Sequence, residues 1–340
     1  MFCNSITKFS KYPLKIPFCP KKLGALDCES LLLEIVLNYQ QFNINMKKIT
    51  LALLVILGLT LANCGNKREG KPKVLVFSKT MGFKHASIPD GIAAIQKLGS
   101  ENGFVVDTTK NSELFNEDNL KQYSAIIFLS TTMNVLDHKQ EAAFERYIQS
   151  GGGFVGVHAA TDTEYDWGWY NKLVGAQFVS HPAGTPEADF IITDKNFIAT
   201  KHFTDSVWHR SDEIYNYKRI NPDVHVVMRV DESTYEGGLN GDNHPFAWYH
   251  EYDGGRAFYT GAGHTSESYS EDLFLKHLLG GIEYAIGENN NLDYSKATTQ
   301  LPPDANRFTK VELVGGEFFE PTEMTVLPNH DVLIAQRRGE

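Results

Sequence analysis

From Lys73 onward, short runs of consecutive apolar residues alternate with longer stretches in which apolar residues recur every three or four positions. Val74 to Phe77 (VLVF) has the pattern of a strand buried on both faces, and the polar stretch Ser78 to Ser87 that of a loop. The spacing of Ile92, Ile95 and Leu98 predicts a helix from Pro89 to Asn102. The cycle repeats through Phe104-Val105-Val106, Ala125 to Leu129 (AIIFL), a helix from Asp137 to Ser150, and Gly153 to Val157 (GFVGV). Strands with no polar side to offer to water must be covered on both faces. Separated by helices, they predict an α/β fold around a mostly parallel sheet.

Further strands are expected at Phe190-Ile191-Ile192, Val224 to Arg229, Phe246 to Tyr252 and Arg256 to Thr260, before a closing helix from Ser270 to Ile286. The domain therefore spans 73–287. Residues 288–307, with Asn289-Asn290-Asn291 and Pro302-Pro303, have the composition of a linker. Residues 308–340 carry three strand-like runs, Lys310 to Val314, Met324 to Leu327 and Val332 to Ala335. Three short strands cannot bury a core of their own, so this segment is expected to open a second, β-rich domain that the chain truncates.

Ahead of the domain, Met46-Lys47-Lys48 and the apolar run Ile49 to Ala62 precede Asn63-Cys64. A basic start, an apolar stretch too short to span a bilayer and a small-residue boundary make a secretory signal over 46–64. Leu61-Ala62-Asn63-Cys64 resembles a bacterial lipobox, which implies lipidation of Cys64, a tether over 65–72 and a lipoprotein held at a membrane of the cell envelope. Residues 1–45 stand upstream of a complete signal. They are expected to be a non-native extension, with Met46 as the start.

Composition narrows the chemistry. A 340-residue chain with 42% apolar and 22% charged residues is globular. Its net charge is −10, and residues before Cys64 hold seven Lys/Arg against three Asp/Glu, so the remainder carries about −14. So acidic a protein is a poor partner for nucleic acid. Cys3, Cys19, Cys28 and Cys64 are the four cysteines, which leaves the domain without a disulfide, thiolate ligand or thiol nucleophile.

Several histidines map to one end of one sheet. His85 follows the first strand, His158 ends the run at Val157, His181 lies in a later loop, and His264 follows the strand ending at Thr260. Ligand crevices of such sheets lie beyond the carboxyl ends of the strands. Gly151 to Asp162 resembles a nucleophile elbow, a tight turn that presents one side chain at the top of the sheet. Class I glutamine amidotransferases hold a cysteine there. This chain has His158, so thiol-based amide hydrolysis is excluded.

Lys79 to His85 (KTMGFKH), Gly153 to Asp162, His181-Pro182, Asp212-Glu213-Ile214-Tyr215, His244-Pro245 with Trp248, and Gly261 to Thr265 (GAGHT) together resemble the signature of the ThuA-like (trehalose utilisation) family. The resemblance implies a flavodoxin-like three-layer sandwich of amidotransferase type, a role in carbohydrate catabolism, and 3-keto sugars made by partner sugar dehydrogenases. Glu320 to Gly339 resembles the first blade of quinoprotein sugar dehydrogenase propellers.

A 3-keto sugar has acidic protons beside its carbonyl, so isomerisation, glycosidic elimination or hydrolysis needs a base of near-neutral pKa and a group that polarises the oxygen. His158 and His264 are the candidate acid/base groups or metal ligands, with Asp162 and Glu213 as their carboxylate partners. Histidine and carboxylate without thiolate suit zinc, manganese or nickel. His85, His181 and His244 are expected to line the substrate pocket, and Trp167 and Trp169, in a run that includes Tyr165 and Tyr170, to form a sugar-stacking wall. The competing expectation is a carbohydrate-binding or scaffolding module without catalysis, tethered to a sugar dehydrogenase.

Overall fold

The computed structural model describes residues 68–303 and 320–337, with the single positions 39, 42, 48, 307, 309, 311, 318 and 339. Most of 1–45, of the signal 46–64 including Cys64, and of the expected strand Lys310 to Val314 lies outside the described residues. Among the described residues, no helix is long and apolar enough to cross a membrane.

The strands are β1 (Lys73–Phe77), β2 (Val105–Thr109), β3 (Ala125–Leu129), β4 (Gly153–Val157), β5 (Gln177–Ser180), β6 (Glu187–Ile192), β7 (Val207–Ser211), β8 (Asn216–Lys218), β9 (His225–Val230), β10 (Pro245–Tyr252) and β11 (Gly255–Thr260), with β12 (Pro321–Val326) and β13 (Val332–Gln336) beyond. Nine of them form one sheet in the order β2-β1-β3-β4-β11-β10-β9-β6-β7. The first five are mutually parallel. From β11 outward every pairing is antiparallel, which adds a wing to the flavodoxin-like core.

The longer helices are α1 (Ile88–Asn102), α2 (His138–Gln149), α3 (Gly168–Val174) and α4 (Asp272–Ile286). Two cores fill the layers between sheet and helices. One joins Val74, Val76, Ile127, Val155 and Phe258 to α4 residues such as Leu278 and Ile282. The other joins Leu75, Phe77, Phe128 and Phe154 to Phe144 and Tyr147 of α2 and Tyr170 of α3. β3 and β4 are buried along their whole length, as apolar strands covered on both faces must be.

Local chemistry sets the element ends. Asp137 caps α2 by accepting from the Lys139 and Gln140 amides, while the Gln140 side chain answers to the Asp137 amide. At Gly153 the backbone runs so close to α4 that a Cβ would fall 2.1 Å from the Ala285 carbonyl oxygen. The glycine run before β4 therefore serves helix-on-sheet packing.

The segment expected as a linker is fastened to the domain as far as Thr299. The amides of Thr298 and Thr299 donate to the Gln149 side chain, and Arg146 donates to the Thr299 carbonyl (2.7 Å). Among the described residues, β12 and β13 pair with each other in a two-stranded antiparallel sheet. The short strands β5, β7 and β8 and the helix α3 have no counterpart in the apolar pattern, because their half-polar sequences, such as VWHRS and NYK, carry no apolar run longer than two residues.

Candidate active site

The parallel strands deliver loops to one edge of the sheet, and His85, His158 and His264 stand there after β1, β4 and β11. Strand direction alternates across the antiparallel wing, so the carboxyl end of β7 returns to this edge and brings Asp212 and Glu213 with it. One edge thus collects groups from positions 85 to 264.

His158 is fully buried and holds φ of +50°, in the left-handed region. It opens a short 3-10 turn, His158–Asp162, directly after the strand. A side chain at positive φ directly after a buried strand is the geometry expected of an elbow, and here it is an imidazole. Its Nδ1–H donates to the Gly261 carbonyl (3.0 Å), and Tyr259 Oη donates to the carbonyl of His158 (2.7 Å). The bond to Gly261 sets the tautomer and leaves Nε2 facing the cluster.

Four side chains converge. His158 Nε2 lies 3.2 Å and His264 Nδ1 3.1 Å from Glu213 Oε2, and the two ring nitrogens are 3.1 Å apart. His85 Nε2 approaches the same oxygen at 4.0 Å. One ligand-type atom from each of His85, His158, Glu213 and His264 lies within 4.8 Å of the others. His181, after β5, reaches the second oxygen, Oε1, at 3.3 Å and stays partly exposed.

The charges are strongly coupled. Burial alone would raise the Glu213 carboxyl, but the hydrogen bonds to His158 and His264, with His85 close by, outweigh it and hold the group far below the usual carboxylate range. Burial pushes His85 down to about 4 against the pull of Glu213, so its ring is neutral near pH 7. For His264, burial lowers the pKa, but the hydrogen bond and charge of Glu213, with Asp212 behind it, turn the net shift upward. Burial also raises Asp162, whose carboxylate accepts from Tyr165 Oη and feels the charges of His158, Glu213 and His181.

Asp212, fully buried, organises this arrangement. It accepts from its neighbour's amide at Glu213 (2.9 Å), from the amides of Gly263 (3.0 Å) and His264 (3.2 Å), and from Arg210 Nη2 (2.8 Å). The loop bearing His264 can follow this path because Gly263 sits at φ of +112°, where a side chain would be strained.

The structure brings His85, His158, His181, Glu213 and His264 together, with Asp162 alongside. His85 is a member of the cluster itself rather than a lining residue. Three expected pocket residues stand elsewhere. His244 is buried with both ring nitrogens engaged, by Glu232 (2.7 Å) and by the Tyr215 carbonyl (2.8 Å), so it braces the loop behind the site. Trp167 and Trp169 stack on each other against Phe144. Trp169 Nε1 donates to Asp253 in the turn between β10 and β11, at the opposite edge of the sheet from His264, and Trp167 Nε1 to Glu145 of α2. The expected sugar-stacking wall is a packed layer between α2 and α3. Arg210 was not singled out in the sequence, Asp212 entered only within the family signature, and Tyr165 only as one ring of the aromatic run. The one signal for Asp212 was its place beside Glu213, and its partners at 263 and 264 are distant in the chain.

A flavodoxin-like α/β sheet with a histidine–carboxylate cluster at the carboxyl ends of its strands, and no cysteine after Cys64, defines the class of the domain. The model of the ThuA family, described as trehalose utilisation, matches residues 73–285, and the chain belongs to that family. The fold is similar to a ThuA-like protein from Bacteroides uniformis (TM-score 0.55, 21% identity, 65% of this chain and 94% of that one). It is also similar to one from Parabacteroides merdae (TM-score 0.52, 20% identity, 69% and 94%). No curated protein matches the sequence.

Proposed function

We propose that the chain is a carbohydrate-active enzyme that acts on keto sugars at the His85–His158–Glu213–His264 cluster, as an isomerase, lyase or hydrolase. The observation that carries this reading is the triangle formed by His158 Nε2, His264 Nδ1 and Glu213 Oε2, with edges of 3.1–3.2 Å. With Nδ1–H of His158 committed to Gly261, Nε2 and the carboxylate oxygen at 3.2 Å would both present lone pairs unless something positive stands between them. Such a contact needs a positive charge between them, either a further proton or a cation.

The donor set fits a divalent ion. Ligands about 2.0–2.1 Å from a tetrahedral centre lie about 3.3 Å from one another, close to the edges of this triangle. His158, His264 and Glu213 would hold the ion, with His85 as the fourth donor, and zinc, manganese or nickel suits that set. A bound ion would polarise the keto oxygen of the sugar. Around it, the Asp162 carboxylate, raised by burial, is suited to take the proton from the carbon beside the carbonyl. His181, partly exposed on the far oxygen of Glu213, is suited to return a proton to the leaving oxygen.

A keto sugar must be supplied by oxidation of a sugar hydroxyl, so the partner class is a sugar dehydrogenase. The basic start at Met46, the apolar run and Cys64 support export and lipid anchoring in the cell envelope, which mass spectrometry of the processed N-terminus would test.

The deciding experiment measures metal content of the purified protein and its turnover of 3-keto disaccharides before and after chelation. Loss of both on chelation and recovery with one of the three ions is the expected result. Turnover that survives complete metal removal would leave acid/base chemistry by the histidines and Asp162 alone. Sugar binding without product, under all metal conditions, would leave a binding module.

A further inference from the structure

The loops that carry the site residues are laced together beyond the sheet. Thr80 bridges Thr132, and Met133 bridges Thr163, each in parallel fashion. The Met81 amide donates to the Thr132 carbonyl (3.0 Å), the Gly82 amide to Thr132 Oγ1 (3.2 Å), and that hydroxyl to the Phe83 carbonyl (3.0 Å). The Met133 amide donates to the Asp162 carbonyl (2.7 Å), and Glu164 to the Met133 carbonyl (3.2 Å). These bonds make a shelf of three adjoining loops with defined geometry.

Three large apolar side chains on these loops are exposed. Met81 is 61%, Phe83 66% and Met133 46% exposed. A single exposed apolar side chain is ordinary, but three large ones on two loops hydrogen-bonded to each other are a candidate contact for a ligand. The shelf begins where the cluster ends, since the Phe83 ring stands edge-on to His85 with centroids 4.8 Å apart. Its other end is tied through Met133 to Asp162. Met133 itself is held at φ of +61°, a conformation that its side chain disfavours and that the bracing imposes. The position of that side chain is thus specified by the fold.

An apolar shelf beside a polar centre fits a substrate with one reacting sugar and one further ring. The C–H faces of a pyranose and the face of an aryl group pack on an aromatic side chain, and methionine adapts to rings of different shape. We infer that Met81, Phe83 and Met133 form a leaving-group subsite, so that the site takes glycosides, with the second sugar ring or aryl aglycone on this shelf, in preference to free monosaccharides. The inference rests on the proposed sugar chemistry for the identity of the ligand, and its test is independent of turnover.

The experiment is calorimetric titration of the full chain with the α and β anomers of 4-nitrophenyl glucoside and of methyl glucoside, neither of which carries the keto group. An aryl glucoside is expected to bind at least 10-fold more tightly than its methyl counterpart. Phe83→Ala is expected to weaken the aryl ligand about 10-fold and the methyl ligand less than 2-fold, and Phe83→Tyr to restore the preference. Met133→Ala, on a separate loop, is expected to reduce it too. Equal affinities for the two ligands, equal losses in Phe83→Ala, or no binding of any glycoside would overturn the subsite. So would a variant whose only change is dissociation of a self-associated chain in sedimentation, which would make the shelf a contact between copies. Aryl preference without turnover of keto sugars would leave the subsite standing and sink the reaction. Turnover without aryl preference would sink the subsite alone.

Discussion

His158 and Glu213, 55 positions apart in the chain, meet at 3.2 Å with the imidazole anchored through its other nitrogen to the Gly261 carbonyl. Glu213→Gln keeps the shape of this contact and removes its charge. The variant is expected to lose metal affinity by more than about 100-fold and turnover by a similar factor or more. Metal analysis and steady-state kinetics, with circular dichroism as the control for folding, would check it. Full metal loading in the variant would remove Glu213 from the ligand set.

Asp212 is not itself an expected metal ligand, yet by accepting from their amides it sets where Glu213 and His264 stand. Asp212→Asn leaves Arg210 with one remaining carboxylate, Glu271 at 3.2 Å, and provides an NH2 group where an acceptor is needed. Breaking a buried ion pair on one side costs roughly 3 kcal/mol. Urea denaturation should show a loss of that order, and Asp212→Glu should not rescue metal binding, because the longer side chain cannot keep all four bonds. A variant as stable as the parent would mean that the loop is held by other contacts.

Glu164 offers a pH-dependent test. Its carboxylate accepts from the amides of Val135 and Leu136 (2.8 Å each), but burial outweighs those bonds and raises it from 4.5 to about 7. The folded state then binds the proton more tightly than the unfolded chain does. The stability gained from this group is fully present below about pH 4.5 and is lost as pH rises through 7. Glu164→Gln can accept the same two bonds and carries no charge. Its stability relative to the parent should therefore rise between pH 5 and pH 8 by roughly 2–3 kcal/mol, read from urea midpoints. A difference that does not change with pH would place the charge in contact with water.

Trp167 and Trp169 distinguish packing from binding. Trp167→Ala is expected to cost roughly 2–3 kcal/mol through lost contacts with Phe144, Trp169 and Tyr170, and Trp169→Ala somewhat less. Neither is expected to change glycoside affinity in the titration described above. A binding defect in a variant that keeps its thermal midpoint would return these rings to the ligand.

Much of the architecture could be anticipated, since β1, β3 and β4 contain continuous apolar runs and α1 carries apolar residues at helical spacing. The antiparallel wing was only partly visible. Strands with polar residues on one side, such as β7, read as loops when no apolar run marks them. The two tryptophans misled for a related reason, because a cluster of rings looks the same in sequence whether it faces a ligand or a helix.

Apolar periodicity alone determined the layered α/β domain, and the absence of cysteine after Cys64 alone excluded a thiol enzyme. The glycine-rich approach to His158 also announced an elbow. Which histidines meet, and on which carboxylate, was decided only in three dimensions. The return of β7 to the carboxyl edge places Glu213 among groups from positions 85, 158 and 264, and Asp212 holds it there through bonds across more than fifty residues. Such contacts depend on strand direction and loop path, for which no local pattern of residues carries a signal.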